Sequence, residues 1–247
     1  MSDSDSAAGL RHELVAANRI LGHEGILDAY GHVSVRHPGD PGRFLLCRAR
    51  SPEYVEVADV LEFDGEGEVV DGSGAVPYIE RFIHAGVYEA RPDVAAVCHN
   101  HAMSILPFSI SRSARLRATI NASRLFGDGV PVWDIADEFG DRTNMLVRTM
   151  TQGRSLARSL GPAAVALMRG HGAVVTAGSL RQVVYRSLDM DRAARAQLAV
   201  MTLGGADRSF TDAELAPHPD LPAGASRDDR AWEYLLHRAG LGEGLPL

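Results

Sequence analysis

Apolar positions follow two kinds of periodicity along this chain, and the pattern changes from one segment to the next. Helical spacing of apolar residues predicts three long helices, over residues 10–27, 143–160 and 179–203. Short apolar or alternating runs predict strands over residues 32–36, 43–48, 60–63, 68–70, 94–98, 130–133, 164–168 and 173–176. The turn-forming sequences HPGDPG and DGEG join neighbouring strands, which predicts two hairpins. This irregular alternation favours a single α/β domain with a mostly antiparallel central sheet and helices on its faces.

The two ends of the chain are more polar than its middle. Residues 1–8 are predicted to form a disordered tail, and residues 9–210 a single domain. Residues 211–247 are predicted to form a C-terminal extension that packs on the domain or on a neighbouring subunit. This extension opens with the capping-box pattern TDAE at Thr211 and ends with an amphipathic segment around Tyr234.

Composition narrows the classes of function that the chain can serve. A formal net charge of −7 and a pI near 5.8 argue against a nucleic-acid-binding surface. The two cysteines, Cys47 and Cys98, lie inside apolar runs, which favours buried, reduced thiols of a cytoplasmic protein. No apolar run approaches 18 residues and the N-terminus is polar, so we expect neither a membrane span nor a signal peptide.

The candidate chemistry centres on two histidines at the end of a predicted strand. His99 and His101 follow the apolar run 94–98, and residues two apart on a strand project from the same face. Two imidazoles side by side suit a divalent metal ion. An isolated H-x-H pattern is a weak signal, but two further residues support it. His171 lies in the glycine-flanked turn RGHG, and Glu80 is expected on a helix that opens just upstream.

The sequence leaves open the surroundings of Glu80 and of His84 on the predicted helix. We expect the helix to begin at Pro77, because proline is tolerated in a first helical turn. A solvent-facing carboxylate is the alternative interpretation of Glu80. His84 follows one turn later on the same face, where it could support the site, although a surface position is the stronger expectation.

The order E…HNH…GHG is similar to that of the class II aldolase/adducin family, over residues 10–205. The resemblance implies a three-layer α/β/α fold and one divalent metal ion per subunit, either Mn²⁺, Zn²⁺, Fe²⁺ or Co²⁺. It implies that His99, His101 and His171 bind this ion, and that Glu80 is the general acid/base or an additional ligand. Three neutral imidazoles leave positions open for substrate, as in a catalytic site. The resemblance also implies a homotetramer with active sites at subunit boundaries.

The substrate signals differ from those of the phospho-sugar aldolases in this family. Those enzymes bind phosphate with a G-N-x-S turn, a T-x-x-G segment and two serines before the glutamate. Here the turn is Gly31-His32-Val33-Ser34, and the other two elements are absent. Residues 43–64 and 77–94 resemble a narrower branch, the metal-dependent decarboxylases of dihydroxyphthalate and of hydroxy-methyl-pyridine-dicarboxylate. This branch implies decarboxylation of a hydroxylated aromatic or heteroaromatic (di)carboxylate through a metal-stabilised enolate.

Five further residues are candidates for this chemistry. Arg48 or Arg50 could bind a carboxylate of the substrate. His32 could donate a hydrogen bond to substrate or shuttle a proton, and Ser34 of the same turn is a substrate-binding candidate. The resemblance implies that a C-terminal tyrosine, for which Tyr234 is the candidate, completes a neighbouring subunit's site.

Three alternatives remain open at this point. The first is a metal-dependent retro-aldolase of a non-phosphorylated hydroxy-keto acid, because aldol cleavage passes through a similar enolate. The second is an Fe(II) oxygenase on the same fold, which oxygen dependence would reveal. The third is an adducin-like binding module without catalysis, for which the three retained histidines are unexpected.

Overall fold

The computed structural model describes residues 7–127, 129–205, 210–216 and 225–242. Its seven strands are β1 His32–Arg36, β2 Phe44–Cys47, β3 Val60–Phe63, β4 Ala96–Asn100, β5 Val132–Trp133, β6 Val165–Met168 and β7 Gly172–Ala177. Its helices are α1 Ala7–His23, α2 Arg81–Ala90, α3 Leu106–Ile110, α4 Ile135–Phe139, α5 Met150–Leu160, α6 Leu180–Thr202, α7 Asp212–Leu215 and α8 Ala225–Arg238. Short 3₁₀ segments cover Pro52–Tyr54, Val57–Asp59 and Asn121–Phe126.

One sheet contains all seven strands, in the order β3-β2-β1-β4-β7-β6-β5. Five of its pairings are antiparallel, and β5 runs parallel to β6, so the sheet is mixed. The predicted hairpin of β1 and β2 is confirmed. The second predicted hairpin forms around Asp64, where Phe63 is bridged to Val69. The short strand β5 lies at the sheet edge, consistent with Pro131 beside it.

Helices cover both faces of the sheet, which confirms the α/β prediction. Helices α1 and α6 pack against each other and against the central strands on one face, whereas α2 and α5 pack together on the other. Successive side chains of β4 point to opposite faces of the sheet. The Cys98 side chain lies near Ser187 of α6, and the His99 side chain projects towards Glu80 at the start of α2. Both cysteines are buried free thiols, as predicted.

A pair of glycines brings α2 and α5 into close contact. A Cβ atom on Gly86 would lie 2.4 Å from the carbonyl carbon of Gly153, and one on Gly153 would lie 2.1 Å from the carbonyl oxygen of Phe82. No side chain fits at either position. The backbones of the two helices therefore touch, which fixes α2 relative to the sheet.

The predicted start of α2 is wrong by four residues. The helix begins at Arg81, and Glu80 is its N-cap residue with φ −89° and ψ 19°. Pro77 instead lies in an extended segment that forms a bridge to Arg48. Here the backbone amide of Ala49 donates to the Val76 carbonyl at 2.9 Å. Backbone pairing with the chain after β2 thus delays the helix, which leaves Glu80 at its N-terminus.

The predicted start of α5 is also too early. Residues 143–149 are not helical, and Met145 has a left-handed φ of 63°. The helix begins only after Thr149, whose hydroxyl accepts a hydrogen bond from the Gln152 backbone amide at 3.3 Å. The apolar spacing of this segment arises because its residues line a cavity, as described below.

The last described helix, α8, packs back on the rest of the fold. Helix α8 packs against α1 and α6, with Trp232 buried and the guanidinium of Arg181 5.5 Å from its ring. The capping box at Thr211 forms as predicted. Residues 7 and 8, predicted as part of a disordered tail, belong to α1, and residues 1–6 lie outside the described residues. Among the described helices, none combines the length and apolar character that a membrane span requires.

Candidate active site

The end of β4 places two histidines side by side. His99 lies on the strand and His101 directly follows it. Their Nε2 atoms are 3.0 Å apart, and the planes of the two rings are 85° apart. The prediction that both side chains project from one face of the strand is confirmed.

His171 reaches the same point from the turn between β6 and β7. Its ring centroid lies 5.1 Å from those of both His99 and His101. The flanking glycine explains this approach, because a Cβ on Gly172 would lie 2.2 Å from the Asn100 carbonyl oxygen. The turn can pack against the end of β4 only without a side chain at that position.

Glu80 completes the group from the start of α2. Its Oε2 lies 3.4 Å from Nε2 of His99 and 3.4 Å from Nε2 of His171. Its Oε1 accepts a hydrogen bond from the Val147 backbone amide at 2.9 Å. Burial raises the pKa of Glu80, but His99 and His171 lower it by more, so this pKa lies well below its usual range. The carboxylate is therefore ionised at neutral pH.

These four side chains suit a divalent metal ion. One potential ligand atom from each of Glu80, His99, His101 and His171 lies within 4.8 Å of the others. The outer nitrogen of His101, Nδ1, lies 3.0 Å from both carboxylate oxygens of Asp28. The Nδ1 atom of His99 lies 3.2 Å from the backbone carbonyl oxygen of Ala173, on the neighbouring strand β7. Such contacts orient metal-binding imidazoles and leave each Nε2 free to ligate.

Asp28 is a site residue that the sequence prediction missed. Its Oδ1 also accepts hydrogen bonds from the backbone amides of Tyr30 and Gly31, each at 2.9 Å. Burial raises the pKa of Asp28, but these hydrogen bonds and His101 lower it by more, so the net shift is downward. The sequence signal was the turn-forming run Asp28-Ala29-Tyr30-Gly31, which we interpret as the end of the helix predicted over residues 10–27. That end is wrong, because helix α1 already ends at His23.

Glu80, His101 and His171 line a cavity of about 780 Å³, and His99 is buried beside them. Charged and polar groups face it from several elements, while its outer rim carries the exposed apolar side chains of Tyr30, Val76 and Ile79. The residues that line it are Ala29, Tyr30, His32, Ala49, Arg50, Ser51, Val76, Pro77, Tyr78, Ile79, Glu80, His101, Asn144, Met145, Leu146, Gly170 and His171. Its volume is within the range of small-molecule sites.

The two predicted arginines share one buried carboxylate. Asp59 accepts a hydrogen bond from Nε of Arg48 at 2.5 Å and one from a terminal nitrogen of Arg50 at 2.7 Å. Arg50 lines the cavity, and Arg48 is not among the lining residues. The structure therefore brings Arg50 to the candidate site and leaves Arg48 beside it.

The remaining candidates fall into three different places. His32 lines the cavity beside the His99 ring, at a centroid distance of 5.3 Å. Ser34 is buried on the same strand and does not line the cavity. Tyr234 is exposed on α8 and lines a separate depression, formed with residues such as Leu235.

The expected surface position of His84 is wrong. Its side chain is fully buried, with Nε2 2.7 Å from Nδ1 of His32 and Nδ1 2.5 Å from the Ser34 hydroxyl. Burial, with a contribution from His99, lowers the pKa of His84 to about 3. Helical spacing placed His84 on the Glu80 face, but it could not show that β1 covers that face.

This combination of sheet order and strand-end histidines defines a class II aldolase fold. The solved structure of L-fuculose 1-phosphate aldolase from Glaciozyma antarctica has a TM-score of 0.75 with this chain at 24% identity. The match covers 95% of this chain and 91% of that one. At this identity, the similarity establishes the fold.

The chain belongs to the class II aldolase and adducin family. The family model described as the class II aldolase and adducin N-terminal domain matches residues 12–198. The decarboxylase tropJ of Talaromyces stipitatus is 34% identical over 204 residues, which cover 78% of this chain and 76% of that protein. The 3,4-dihydroxyphthalate decarboxylase of Arthrobacter keyseri is 30% identical over 248 residues, which cover 94% of each protein. The predicted resemblance to the decarboxylase branch is confirmed.

Proposed function

We propose that the protein is a metal-dependent decarboxylase of a hydroxylated aromatic or heteroaromatic carboxylate, with a dicarboxylate as the preferred substrate. The observation that carries the proposal is the grouping of the Glu80 carboxyl with three imidazoles, at a cavity whose wall holds Arg50. Similarity to decarboxylases over most of the chain supports the reaction type. The cavity has room for a one-ring acid.

His99, His101 and His171 are the proposed metal ligands, and one of Mn²⁺, Zn²⁺, Fe²⁺ or Co²⁺ is the proposed ion. When bound, such an ion supplies Lewis-acid stabilisation of negative charge on a substrate oxygen. Imidazole donors accept all four metals, so metal content and reconstitution must decide among them. Glu80 lies within reach of the same point and is the proposed proton carrier.

The ionised state of Glu80 sets the order of proton transfers. Its carboxylate first accepts the proton of the substrate hydroxyl that lies ortho to the departing carboxylate. It then delivers this proton to the ring carbon that bears the carboxylate. The carbon–carbon bond breaks, its electron pair returns to the ring and oxygen, and carbon dioxide leaves. Protonation of that oxygen from solvent completes the reaction.

Arg50 and His32 are the proposed substrate-binding groups on the cavity wall. The guanidinium of Arg50 can bind the second carboxylate of a dicarboxylic acid, and Asp59 holds this guanidinium in place. His32 is the proposed hydrogen-bond donor to a substrate oxygen near the metal ligands. Arg48, Ser34 and Tyr234 stay weaker candidates, since none lines this cavity within one subunit.

Release of carbon dioxide tests the proposal directly. Metal-stripped protein, reloaded with each ion, is offered ortho-hydroxy aromatic mono- and dicarboxylates. We expect metal-dependent release that Glu80→Gln abolishes and that the surface substitution Glu62→Gln leaves unchanged. Formation of an aldehyde or pyruvate from hydroxy-keto acids, without carbon dioxide from any aromatic acid, would instead establish the aldolase alternative.

We further propose a cytoplasmic homotetramer that acts in the breakdown of aromatic compounds. The exposed apolar rim of Tyr30, Val76 and Ile79 supports contact with a neighbouring subunit at the cavity mouth. Light scattering after size-exclusion chromatography measures the mass in solution. A mass near 26.5 kDa, that of one chain, would exclude the tetramer.

A further inference from the structure

A line of four buried polar side chains leads away from the candidate site into the protein. Nδ1 of His32 lies 2.7 Å from Nε2 of His84, whose Nδ1 lies 2.5 Å from the hydroxyl of Ser34. The Ser34 oxygen lies 2.8 Å from the hydroxyl of Tyr88. All four side chains are buried, and only His32 lines the cavity of the candidate site. A chain of this kind fixes where each member carries its hydrogen.

Each contact in this chain holds one hydrogen. The Ser34 oxygen could accept from Tyr88 and His84 together, but its own hydrogen would then lack an acceptor, because its hydrogen-bond partners among the described residues are these two side chains alone. Two arrangements remain. In the first, Tyr88 donates to Ser34, Ser34 donates to His84, and His84 donates to Nδ1 of His32. The ring proton of His32 is then on Nε2. In the second arrangement every bond is reversed, so that His32 carries its proton on Nδ1 and Tyr88 must donate elsewhere.

The surroundings of Tyr88 favour the first arrangement. The guanidinium of Arg36 lies over its ring, 4.7 Å from the ring centroid, and offers hydrogen-bond donors only. Among the described residues, the only side-chain or backbone acceptor within hydrogen-bond distance of the Tyr88 hydroxyl is the Ser34 oxygen. Reversal would thus leave a buried hydroxyl hydrogen without an acceptor, which is unfavourable.

We infer that Tyr88, Ser34 and His84 are positioning residues that hold the ring proton of His32 on Nε2, so that His32 presents a hydrogen-bond donor to the cavity. Its Nδ1 is engaged with His84, so the part of the ring available to the cavity includes Nε2. A hydrogen-bond donor fixed next to the proposed metal-binding histidines favours a molecule that places an anionic oxygen at this point of the cavity. The identity of that oxygen as a substrate carboxylate rests on the proposed function.

The burial of the two rings supports this assignment. Both rings are buried, and Nδ1 of His32 faces Nε2 of His84 at 2.7 Å. The neutral imidazole has a single ring hydrogen, so its location decides whether the cavity meets a donor or an acceptor. Without the chain, His32 would be free to present either one.

Nitrogen-15 spectra of the histidine rings test the assignment without any turnover. Magic-angle-spinning spectra of ¹⁵N-histidine-labelled protein, loaded with diamagnetic Zn²⁺, distinguish protonated from unprotonated ring nitrogens, and His32→Gln identifies the His32 signals. We expect wild-type His32 to carry its proton on Nε2 alone. In Ser34→Ala, neither orientation of His84 is preferred, so we expect His32 to populate both tautomers.

The control is Ser155→Ala, which removes another fully buried serine hydroxyl that bonds one ring nitrogen, that of Trp133 at 2.9 Å. It should leave the His32 signals unchanged. A wild-type proton on Nδ1, or a Ser34→Ala spectrum identical to wild type, would overturn the inference. The wild-type measurement decides the tautomer even if a variant fails to fold.

Binding of phthalate, an unreactive ortho-dicarboxylate, gives a second measurement by calorimetry. Glutamine can place an amide N–H near the Nε2 position of histidine, whereas asparagine is too short. We expect His32→Asn to bind phthalate about tenfold more weakly than His32→Gln, as befits a lost hydrogen bond to a charged group. Equal affinity of both variants and wild type would contradict the donor role. The expected tautomer, without carbon dioxide release from any acid, would uphold this inference and reject the decarboxylase.

Discussion

Nδ1 of His101 lies 3.0 Å from both carboxylate oxygens of Asp28, a residue 73 positions earlier in the chain. One oxygen of this carboxylate also bonds two backbone amides of its own turn. The loop after α1 is thereby tied to the histidine that ends β4. The orientation of the His101 ring therefore depends on Asp28, which is not itself one of the proposed metal ligands.

Asp28→Asn should weaken metal binding. The amide keeps an acceptor for the turn but removes the charge that favours the Nδ1–H form of His101, so we expect Zn²⁺ affinity to fall roughly 10–100-fold. Competition with a chromophoric chelator measures this. The matched control is Asp40→Asn, which also removes a turn-forming carboxylate, with side-chain exposure of 50% against 49% for Asp28. Equal affinities of the two variants would show that Asp28 does not support the metal site.

Asp59→Asn should impair recognition of a second carboxylate. Asparagine offers one oxygen acceptor where aspartate offers two to Arg48 and Arg50, so Arg50 loses its fixed position. We expect KM for a dicarboxylic substrate to rise about tenfold, equivalent to roughly 1.4 kcal/mol, with a smaller change for the monocarboxylic analogue. Steady-state kinetics on both acids provide the comparison. Glu62→Gln, which disrupts the surface pair with Arg43, should change neither value.

Acid should destabilise the fold through His84. Its pKa is about 3 in the folded protein, below the ordinary 6.5, so the unfolded chain binds the extra proton first. The stability associated with neutral His84 is complete above pH 6.5 and is lost as the pH falls towards 3. We expect the free energy of unfolding to decrease as the pH falls, both in wild type and in His84→Gln. The slope should be steeper in wild type, by up to about 1.4 kcal/mol per pH unit.

Denaturant titrations of the metal-free protein, performed at several values across this pH range, give the two slopes. The control is His23→Gln, at an exposed position near the end of α1, which should retain the wild-type slope. Parallel wild-type and His84→Gln curves would mean that His84 is not held neutral by the fold.

Gly153→Ala should destabilise the protein although it lies outside the cavity. The new methyl group would lie 2.1 Å from the Phe82 carbonyl oxygen, which forces α2 and α5 apart. We expect a loss of at least about 1–3 kcal/mol in the free energy of unfolding. Gly178→Ala, where the nearest atom is 3.5 Å away, serves as the control in the same denaturant assay. A Gly153→Ala protein as stable as this control would disprove tight helix contact.

The sequence sufficed to predict that Glu80, His99, His101 and His171 lie together, because their signals are local. Strand alternation brings His99 and His101 to one face, and glycines around His171 predict a tight turn. The backbone partners of Glu80 were not predictable in this way. Its position at the start of α2 depends on pairing between Pro77 and Arg48, which are far apart in sequence.

Residues that support the site through distant partners escaped prediction for the same reason. His84 is buried because β1 covers α2, and Asp59 reaches the candidate site only through its hydrogen bonds with Arg48 and Arg50. The run 143–149 has the apolar spacing of a helix, yet Met145 and Leu146 face the cavity. The periodicity of apolar residues indicates which side chains are shielded from water. It does not indicate whether other protein side chains or a bound molecule shield them.

The exposed rim formed by Tyr30, Val76 and Ile79 is structurally separate from the candidate metal site. These side chains lie outside the packed core, whereas Glu80 and the clustered imidazoles lie at helix and strand ends. Substitutions at the rim can therefore change the surface that meets a substrate or a neighbouring subunit without replacing any of the four candidate metal ligands. Saturation libraries restricted to these three positions are the natural starting point for redirecting the enzyme towards other aromatic acids.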